Sequence, residues 1–455
     1  MLYLNIKSFL NTVCKEIKYK PARIAINNEL EMHMQELKEE YKNNGLQPYD
    51  AEEKAVSQMG IAEDIGKKLN KIHKPKLDWK LLILIAILMG FGIVVSVFKH
   101  KITLDNCIGQ TLFFMSTGII LGIMVYLLDY KQMKRYSNVI YLIATIIMFL
   151  PIIGLCSHKI NGISYVYIFR ISFLPCVITI PLYIVSFIGY MCNYDSKNTI
   201  SILKNKITLN KSMLKIICLC LLSIVLILIL PSFINALILS IIYLVISTIT
   251  IKQRNAQYIK KLTVLYSSFI LLLILLAIAI GGNIYKDAKL NNLFNLESYS
   301  LENKNISILQ KEVLEKAKLL GNIESSIFSS NEFFISKKSN LTFLYLLGKI
   351  GIILSSLLIF IIILTSIKLI FNTKKIKDLY GKSLMIGFST LYILQSIGSV
   401  LSNIILGITI DVDLPFVAYG GVSIIVNSIN IAIILSVYRR KDISQYDETY
   451  EIDYT

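Results

Sequence analysis

Ten stretches of predominantly apolar residues, each near 20 residues long, constrain this chain more than any other feature. A helix of about 20 residues is what crosses the ~30 Å hydrocarbon core of a membrane. Of the 455 residues, 55% are hydrophobic and only 17% are charged, which excludes an ordinary soluble multidomain protein. We therefore predict an all-α integral membrane protein with about ten transmembrane helices. The predicted spans are residues 79–98, 107–128, 138–156, 171–192, 213–231, 233–251, 263–282, 342–371, 383–408 and 414–438.

Lysine and arginine residues are unevenly distributed over the short loops between these spans. With the N-terminus inside the cell, the inner loops and the C-terminal flank hold 18 of them, whereas the short outer loops hold Lys99, Lys101, Lys159 and Arg170. Cytoplasmic loops of membrane proteins carry such an excess, so we predict that both termini are cytoplasmic. The formal net charge of +17 then reflects this topology and an attraction to anionic inner-leaflet lipids. Membrane lipids, and not nucleic acid, are the expected partners of this charge.

Residues 1–77 are polar and predict a cytoplasmic helical prefix domain ahead of the membrane domain, residues 78–440. Apolar residues recur there at helical spacing, and Gly45 and Gly60 end two of the stripes. The three stripes are Ile26, Leu30, Met34, Leu37 and Tyr41; Ala55, Val56 and Met59; and Ile65, Leu69 and Ile72. Asp50 and Glu53 have the spacing of a capping box for the second helix. The pattern predicts three helices.

The prefix pattern from residue 29 to residue 69 resembles the permease-prefix domains, of HAAS type, that precede some bacterial membrane proteins. The resemblance implies a cytoplasmic contact surface or a regulatory input. A folding and insertion aid without a ligand is the alternative, and the sequence leaves both open.

Two further segments lie outside the apolar spans. In the large outer loop, residues 283–341, apolar residues recur at steps of three and four, which predicts a helix lying on the outer membrane surface. These residues are Ile306, Leu309, Val313, Ala317 and Leu320. The last residues, 441–455, are acidic and predict a flexible cytoplasmic tail.

Residues 414–423, with the sequence LPFVAYGGVS, stand at the head of the last apolar span. Proline lacks an N–H and costs nothing in the first turn of a membrane helix, so we predict that Pro415 begins this helix. Gly420 and Gly421 would let a backbone or a ligand approach closely. This run resembles the LPF(I/V)SYGGSS signature of the SEDS family, the FtsW, RodA and SpoVE cell cycle proteins. Gln395, 19 residues before Leu414, and Asn427 also match the family's spacing.

The resemblance implies the SEDS fold in a bacterial plasma membrane and a role in peptidoglycan synthesis during cell division, cell-shape elongation or sporulation. The family activity is glycosyltransferase polymerisation of lipid II, so lipid II or a related undecaprenyl-linked molecule is the implied substrate. A class B penicillin-binding protein is the implied partner. No cofactor and no metal-ligand set is evident, although a divalent cation could be held by the substrate pyrophosphate together with outer-loop acids. The substrate-binding residues expected are Gln395, Pro415, Tyr419, Gly420, Gly421, Ser423, Lys337 and Lys338.

The position of the family's catalytic aspartate is occupied by Asn340. In the family this aspartate lies 11 residues before a glycine, and Gly351 is that glycine here. An amide cannot accept the proton that a general base takes, and losing such a base costs about 10²- to 10⁴-fold in rate. Two intramembrane charges of the family, a glutamate and a lysine, correspond to Val177 and Ile180. Losing these groups together removes the polar residues that mark function inside a membrane.

Asp411 and Asp413 are the candidate replacement bases, with Glu332 behind them. Their alternative role is to cap the last helix and complement its positive end. Three functions remain open from the sequence: a degenerate, non-catalytic member that binds lipid II or regulates the machinery, an active glycosyltransferase with a non-standard base, and a transporter of lipid-linked precursors.

Overall fold

The computed structural model describes most of the chain, and all structural statements below concern the described part. The described residues are 5–74, 76–103, 106–155, 157–160, 163–168, 171–193, 211–230, 232–254, 301–323, 339–405, 412–419 and 421–441. By internal contacts the chain divides into two units. The first comprises residues 1–77, 375–378 and 437–455, and the second comprises residues 78–374 and 379–436.

The first unit contains four helices within the described residues, where the sequence predicts three. They are α1 (Ile6–Glu16), α2 (Lys20–Asn43), α3 (Pro48–Met59) and α4 (Ala62–His73). The additional helix is α1, which begins after Asn5, whose side chain accepts a hydrogen bond from the Ser8 N–H. Phe9 and Val13 of α1 are fully buried beside Ile26 of α2. The predicted stripes begin at Ile26 and so leave out α1, whose buried face is Ile6, Phe9, Leu10 and Val13.

Glu52 ties three helices of this unit together. Its carboxylate accepts a hydrogen bond from the Ile6 N–H at 3.0 Å, at the start of α1, and pairs with Lys38 on α2. The hydrogen bond from Lys38, followed by the one from the Ile6 N–H, holds the pKa of Glu52 below its usual value. The predicted capping box is wrong, because α3 begins at Pro48 and Asp50 therefore lies within its first turn.

The second unit is a bundle of apolar helices. Its helices are α5 (Trp79–Thr103), α6 (Cys107–Leu127), α7 (Tyr130–Arg135), α8 (Ser137–Ile152), α9 (Pro175–Asn193), α10 (Lys211–Ile229), α11 (Phe233–Arg254), α12 (Leu301–Lys316), α13 (Thr342–Ile350), α14 (Ile352–Thr373), α15 (Leu379–Ile404) and α16 (Gly421–Arg439). Among the described residues, seven helices are long and apolar enough to cross a membrane, namely α5, α6, α9, α11, α14, α15 and α16. The apolar parts of α8 and α10 are shorter. The predicted span 263–282 lies outside the described residues.

A small antiparallel sheet, which the sequence reading did not anticipate, precedes α9. Its strands are β1 (Ser157–Ile160), β2 (Ile163–Ile168) and β3 (Ile171–Phe173), in the order β1-β2-β3. Ile160 pairs with Ile163, so only two residues join the first two strands. The sheet takes up the beginning of the predicted span 171–192, whose helix starts at Pro175.

The predicted span 342–371 is two helices that meet at Gly351. Gly351 has φ +87° and ψ −179°, a backbone conformation that is essentially restricted to glycine. Residues 342–348 of α13 are buried on every side, which is typical of a helix enclosed by protein. The membrane-spanning part of the segment is therefore α14 alone.

A buried polar group joins the start of α5 to the end of α14. The Asp78 carboxylate accepts a hydrogen bond from Asn372 Nδ2 at 2.7 Å and lies 3.1 Å from Lys368 Nζ. It also accepts a hydrogen bond from the Leu81 N–H and so caps α5. Burial raises the pKa of Asp78, but these hydrogen bonds and the Lys368 charge outweigh burial, so its pKa lies below the usual value.

Candidate functional site

The signature segment forms a buried turn ahead of the last helix. The N–H groups of Val417 and Ala418 both donate to the Leu414 carbonyl, at 3.2 and 2.9 Å. Phe416 is buried and has φ +66°. The prediction that Pro415 begins the last helix is wrong, because α16 starts at Gly421. Pro415 is buried in the turn instead.

Helices α5 and α6 enclose this turn through glycine contacts. A Cβ added at Gly92 of α5 would lie 2.6 Å from the Phe416 carbonyl oxygen, so the turn can reach α5 only where there is no side chain. Gly421 lies directly against the Phe114 ring of α6. Further along, a Cβ at Gly118 would lie 2.9 Å from Ser428 Oγ. The turn and α16 are therefore fitted closely to the first two membrane helices.

Lys99 is the buried cation of this site. The sequence places it in a short outer loop, but α5 extends through it and only 1% of it is exposed. Its Nζ lies 4.7 Å from the centroid of the Tyr419 ring, a cation–π arrangement. The Asp413 carboxylate attracts the same ammonium. The Tyr419 hydroxyl donates to Gln110 Oε1 of α6, which fixes the ring that covers Lys99.

Of the two candidate replacement bases, the structure describes Asp413. It is half-buried and lies eight residues before the start of α16, so it does not cap that helix as the alternative reading proposes. Its negative charge attracts the Lys99 ammonium. The other predicted site residues Asp411, Gly420, Lys337 and Lys338, together with Glu332, lie outside the described residues.

Asn340 lies in a turn of 3₁₀ helix, Ser339–Leu341, immediately before α13. Asn403, near the end of α15, fixes this turn. Its Nδ2 donates to the Asn340 carbonyl at 2.8 Å, and its Oδ1 accepts from the Leu344 N–H at 3.0 Å. The contact to Asn340 uses the backbone, so it would be made equally by an aspartate at this position. This anchor therefore places no requirement on the side chain of residue 340.

Helix α12 of the outer loop packs on the same end of α15. Ile306, Leu309 and Val313 are buried by contacts with α13 and α15, so they face protein, and the prediction that this face lies on the membrane surface is wrong. Gln310 of α12 is fully buried, and its Nε2 donates to the Ser402 carbonyl at 2.9 Å. Gln310 and Asn403 thus attach the outer loop to adjacent residues of α15.

The remaining predicted residues lie on α15 and α16. Gln395 is half-buried on α15, about 12 Å along the helix axis from Asn403. Ser423 is buried on α16, and its Oγ accepts a hydrogen bond from Asn427 Nδ2 at 3.4 Å. The contacts described above form two groups, one around Lys99 and Tyr419 and one around Asn340 and Asn403. Amides and hydroxyls supply most of the polar groups, which suits hydrogen bonding to a ligand better than proton abstraction.

Comparison with known families identifies the membrane domain. The family model of the FtsW, RodA and SpoVE cell cycle proteins matches residues 77–443. The chain belongs to this family. The predicted resemblance to SEDS proteins is thereby confirmed, and so is the all-α multi-pass membrane fold.

Solved structures of other SEDS proteins share this fold. A peptidoglycan synthase complex studied for the coordination of polymerization and crosslinking matches with a TM-score of 0.59 and 16% identity, over 80% of this chain and 98% of that one. The rod shape determining protein RodA of Thermus thermophilus matches with a TM-score of 0.56 and 14% identity, over 80% of this chain and 97% of that one. No curated protein sequence gives a significant match.

Three residues of this SEDS protein's site were missed by the sequence reading. Lys99 was excluded because the hydropathy boundary stopped one residue before it. Gln310 lies between Leu309 and Val313 on an otherwise apolar stripe, and a polar residue at such a position signals a buried hydrogen bond. Asn403 carries no comparable signal, because the turn that it holds is distant in sequence.

Proposed function

We propose that this SEDS protein acts in peptidoglycan synthesis as a non-catalytic member, which binds lipid II or a related undecaprenyl-linked precursor or regulates the synthetic machinery. It would lie in the bacterial plasma membrane with both termini in the cytoplasm. The observation that carries the proposal is Asn340, at the position of the family's catalytic aspartate. Val177 and Ile180, in place of a family glutamate and lysine, support it.

The likeness to a peptidoglycan synthase complex that polymerises and crosslinks supports a class B penicillin-binding protein as the partner. A non-catalytic member could still hold precursor and partner together, since binding needs the shape and hydrogen-bonding groups of the site but not its base. The described parts of the outer loop, residues 301–323 and 339–341, are attached to α15 through Gln310 and Asn403, so this part of the loop has a fixed place from which to meet a partner.

The decisive experiment measures polymerisation of labelled lipid II by the purified protein and by its Asn340→Asp variant. We expect no polymerisation above background from the unmodified protein, with binding of lipid II retained. Restoring the carboxylate should raise the rate if the rest of the site is competent, by up to about 10²- to 10⁴-fold. Ser339→Asp is the matched control, because it adds the same charge one residue away.

The second candidate is an active glycosyltransferase whose base is Asp413. Its carboxylate is attracted by the ammonium of Lys99, the buried cation of the site, and this placement favours the candidate. Polymerisation by the unmodified protein that disappears in Asp413→Asn would establish this candidate and refute the non-catalytic one.

A further inference from the structure

The prefix domain has one strongly basic face, formed by the outer side of α4 and the residues that follow it. The inner side of α4 packs on α1: Ala62 and Gly66 are buried, and a Cβ at Gly66 would lie 2.7 Å from the Glu16 Cβ. The opposite side is exposed. Its first turn carries Glu63 and Asp64. From the second turn on it consists of Lys67, Lys68, Lys71 and Ile72, and exposed Lys74 and Lys76 follow. We call these last six residues the α4 basic face.

The charge of α4 changes sign along the helix. Glu63 and Asp64 stand in its first turn, whereas residues 65–77 contain no acidic residue. The exposed glutamates at positions 29, 31, 36, 39 and 40 lie on a different helix, α2. The end of α4 that leads into the first membrane helix therefore carries positive charge alone, which is attracted to a negative surface.

A short linker joins the α4 basic face to the first membrane helix. Five residues separate His73, at the end of α4, from Trp79, at the start of the first membrane helix. Fully extended, such a linker spans at most roughly 20 Å. Trp79 is 67% exposed in the protein and is the only tryptophan, a residue that favours the membrane interface. The length of the linker alone therefore brings these lysines within reach of the lipid headgroups.

We propose that the α4 basic face docks on anionic phospholipid headgroups of the inner leaflet. The occupant is a lipid surface and not a protein, because the lysines stand immediately next to a membrane helix in the chain. Ile72, an apolar side chain that is 54% exposed, lies among them. Each lysine near an anionic leaflet strengthens such binding roughly fivefold. The inference rests on the cytoplasmic placement of the prefix domain proposed above.

The test is hydrogen–deuterium exchange of the full-length protein in nanodiscs of phosphatidylcholine alone and of equal parts phosphatidylcholine and phosphatidylglycerol. We expect the amides of α4 and of residues 74–76 to exchange about tenfold more slowly in the anionic discs. The difference should vanish near 1 M salt, where the Debye length falls to about 3 Å. Both faces of a nanodisc carry the same lipid, so the result does not depend on topology in the cell or on lipid II binding.

The patch variant carries Lys67→Gln, Lys68→Gln and Lys71→Gln, and we expect it to lose the lipid-dependent slowing. The matched control carries Lys7→Gln, Lys15→Gln and Lys42→Gln, which remove the same charge from exposed positions on α1 and α2, and it should keep the slowing. Exchange of the α1 amides reports whether the patch variant stays folded. If the patch variant unfolds, the single variant Lys68→Gln takes its place. Equal exchange in the two kinds of disc, or equal behaviour of patch and control variants, would overturn the proposal.

Discussion

Replacing Gly351 by alanine should loosen the attachment of the outer loop to the membrane domain. The segment after α12 is bonded to the backbone on both sides of Gly351. The Gly321 and Ile323 N–H groups donate to the carbonyls of Ile350 and Gly348, and the Ile352 N–H donates to the Lys318 carbonyl. A Cβ at Gly351 would lie 2.8 to 2.9 Å from the Lys318 and Leu319 carbonyl oxygens and Leu320 Cα, all of which belong to the backbone and cannot rotate away.

Gly321 supplies a control in the same segment. It has φ +92°, close to the +87° of Gly351, but a Cβ added there meets nothing within 4 Å. Alanine at either position has an unfavourable backbone conformation, which costs about 1–3 kcal/mol. Gly351→Ala adds overpacking against a fixed backbone, typically about 1–3 kcal/mol more. We take about 2 kcal/mol as the difference between the two variants in the free energy of opening the segment. This difference corresponds to roughly 30-fold in the equilibrium constant for opening.

Hydrogen–deuterium exchange in nanodiscs measures this opening directly. The informative amides are those of Ile323 and Ile353, which donate across the junction to Gly348 and Leu319, with intrinsic rates corrected for sequence. We expect exchange at both to be roughly 30-fold faster in Gly351→Ala than in Gly321→Ala. Equal exchange in the two variants would show that the close approach at Gly351 does not hold the loop, and the reasoning would fail.

Three further perturbations have defined outcomes. Gly92→Ala should lower thermal stability by about 1–3 kcal/mol, because its Cβ meets the Phe416 carbonyl, whereas Gly90→Ala, with nothing within 4 Å of its Cβ, should not. Asp78→Ala leaves a largely buried lysine without its carboxylate and should cost about 3 kcal/mol, read from the same melting curves. Since the pKa of Glu52 is depressed, its stabilisation is present above the ordinary value of 4.5 and is lost as pH falls through the folded-state pKa. The protection of the α1 amides, corrected for the pH dependence of intrinsic exchange, should therefore fall in acid in the unmodified protein but change less in Glu52→Gln.

Hydropathy predicted the membrane helices well because burial in lipid depends on composition over about 20 residues. It could not locate breaks that depend on contacts. Gly351 divides one apolar segment into two helices because a distant backbone segment passes within van der Waals distance of it. The sheet before α9 was predictable in principle, since Asn161-Gly162 between two β-rich stretches is a strong hairpin signal. Asn161 and Gly162 themselves lie outside the described residues.

The candidate site was predicted less completely than the fold, because its key contacts join residues far apart in sequence. Tyr419 was expected in the site, but its partners Lys99 and Gln110 lie on α5 and α6, more than 300 residues earlier. Asn403 and Gln310 bind backbone N–H and carbonyl groups, which depend little on residue type, so no side-chain pattern identifies those pairs. The interpretation of Asn340 needed only a fixed spacing from Gly351, and it stays a prediction.

The signature that identifies the family therefore reports the fold more directly than the reaction. Pro415, Phe416 and Val417 are buried, and Tyr419 covers Lys99, so these side chains are occupied in fitting the turn to α5 and α6. A chain that lost the reaction would still need them, because exposing the turn or leaving Lys99 uncovered would cost stability. Asn403 holds the carbonyl of residue 340, so this anchor requires neither an aspartate nor an asparagine there. The turn therefore constrains its own residues through packing, whereas the anchor places no constraint on the side chain of residue 340.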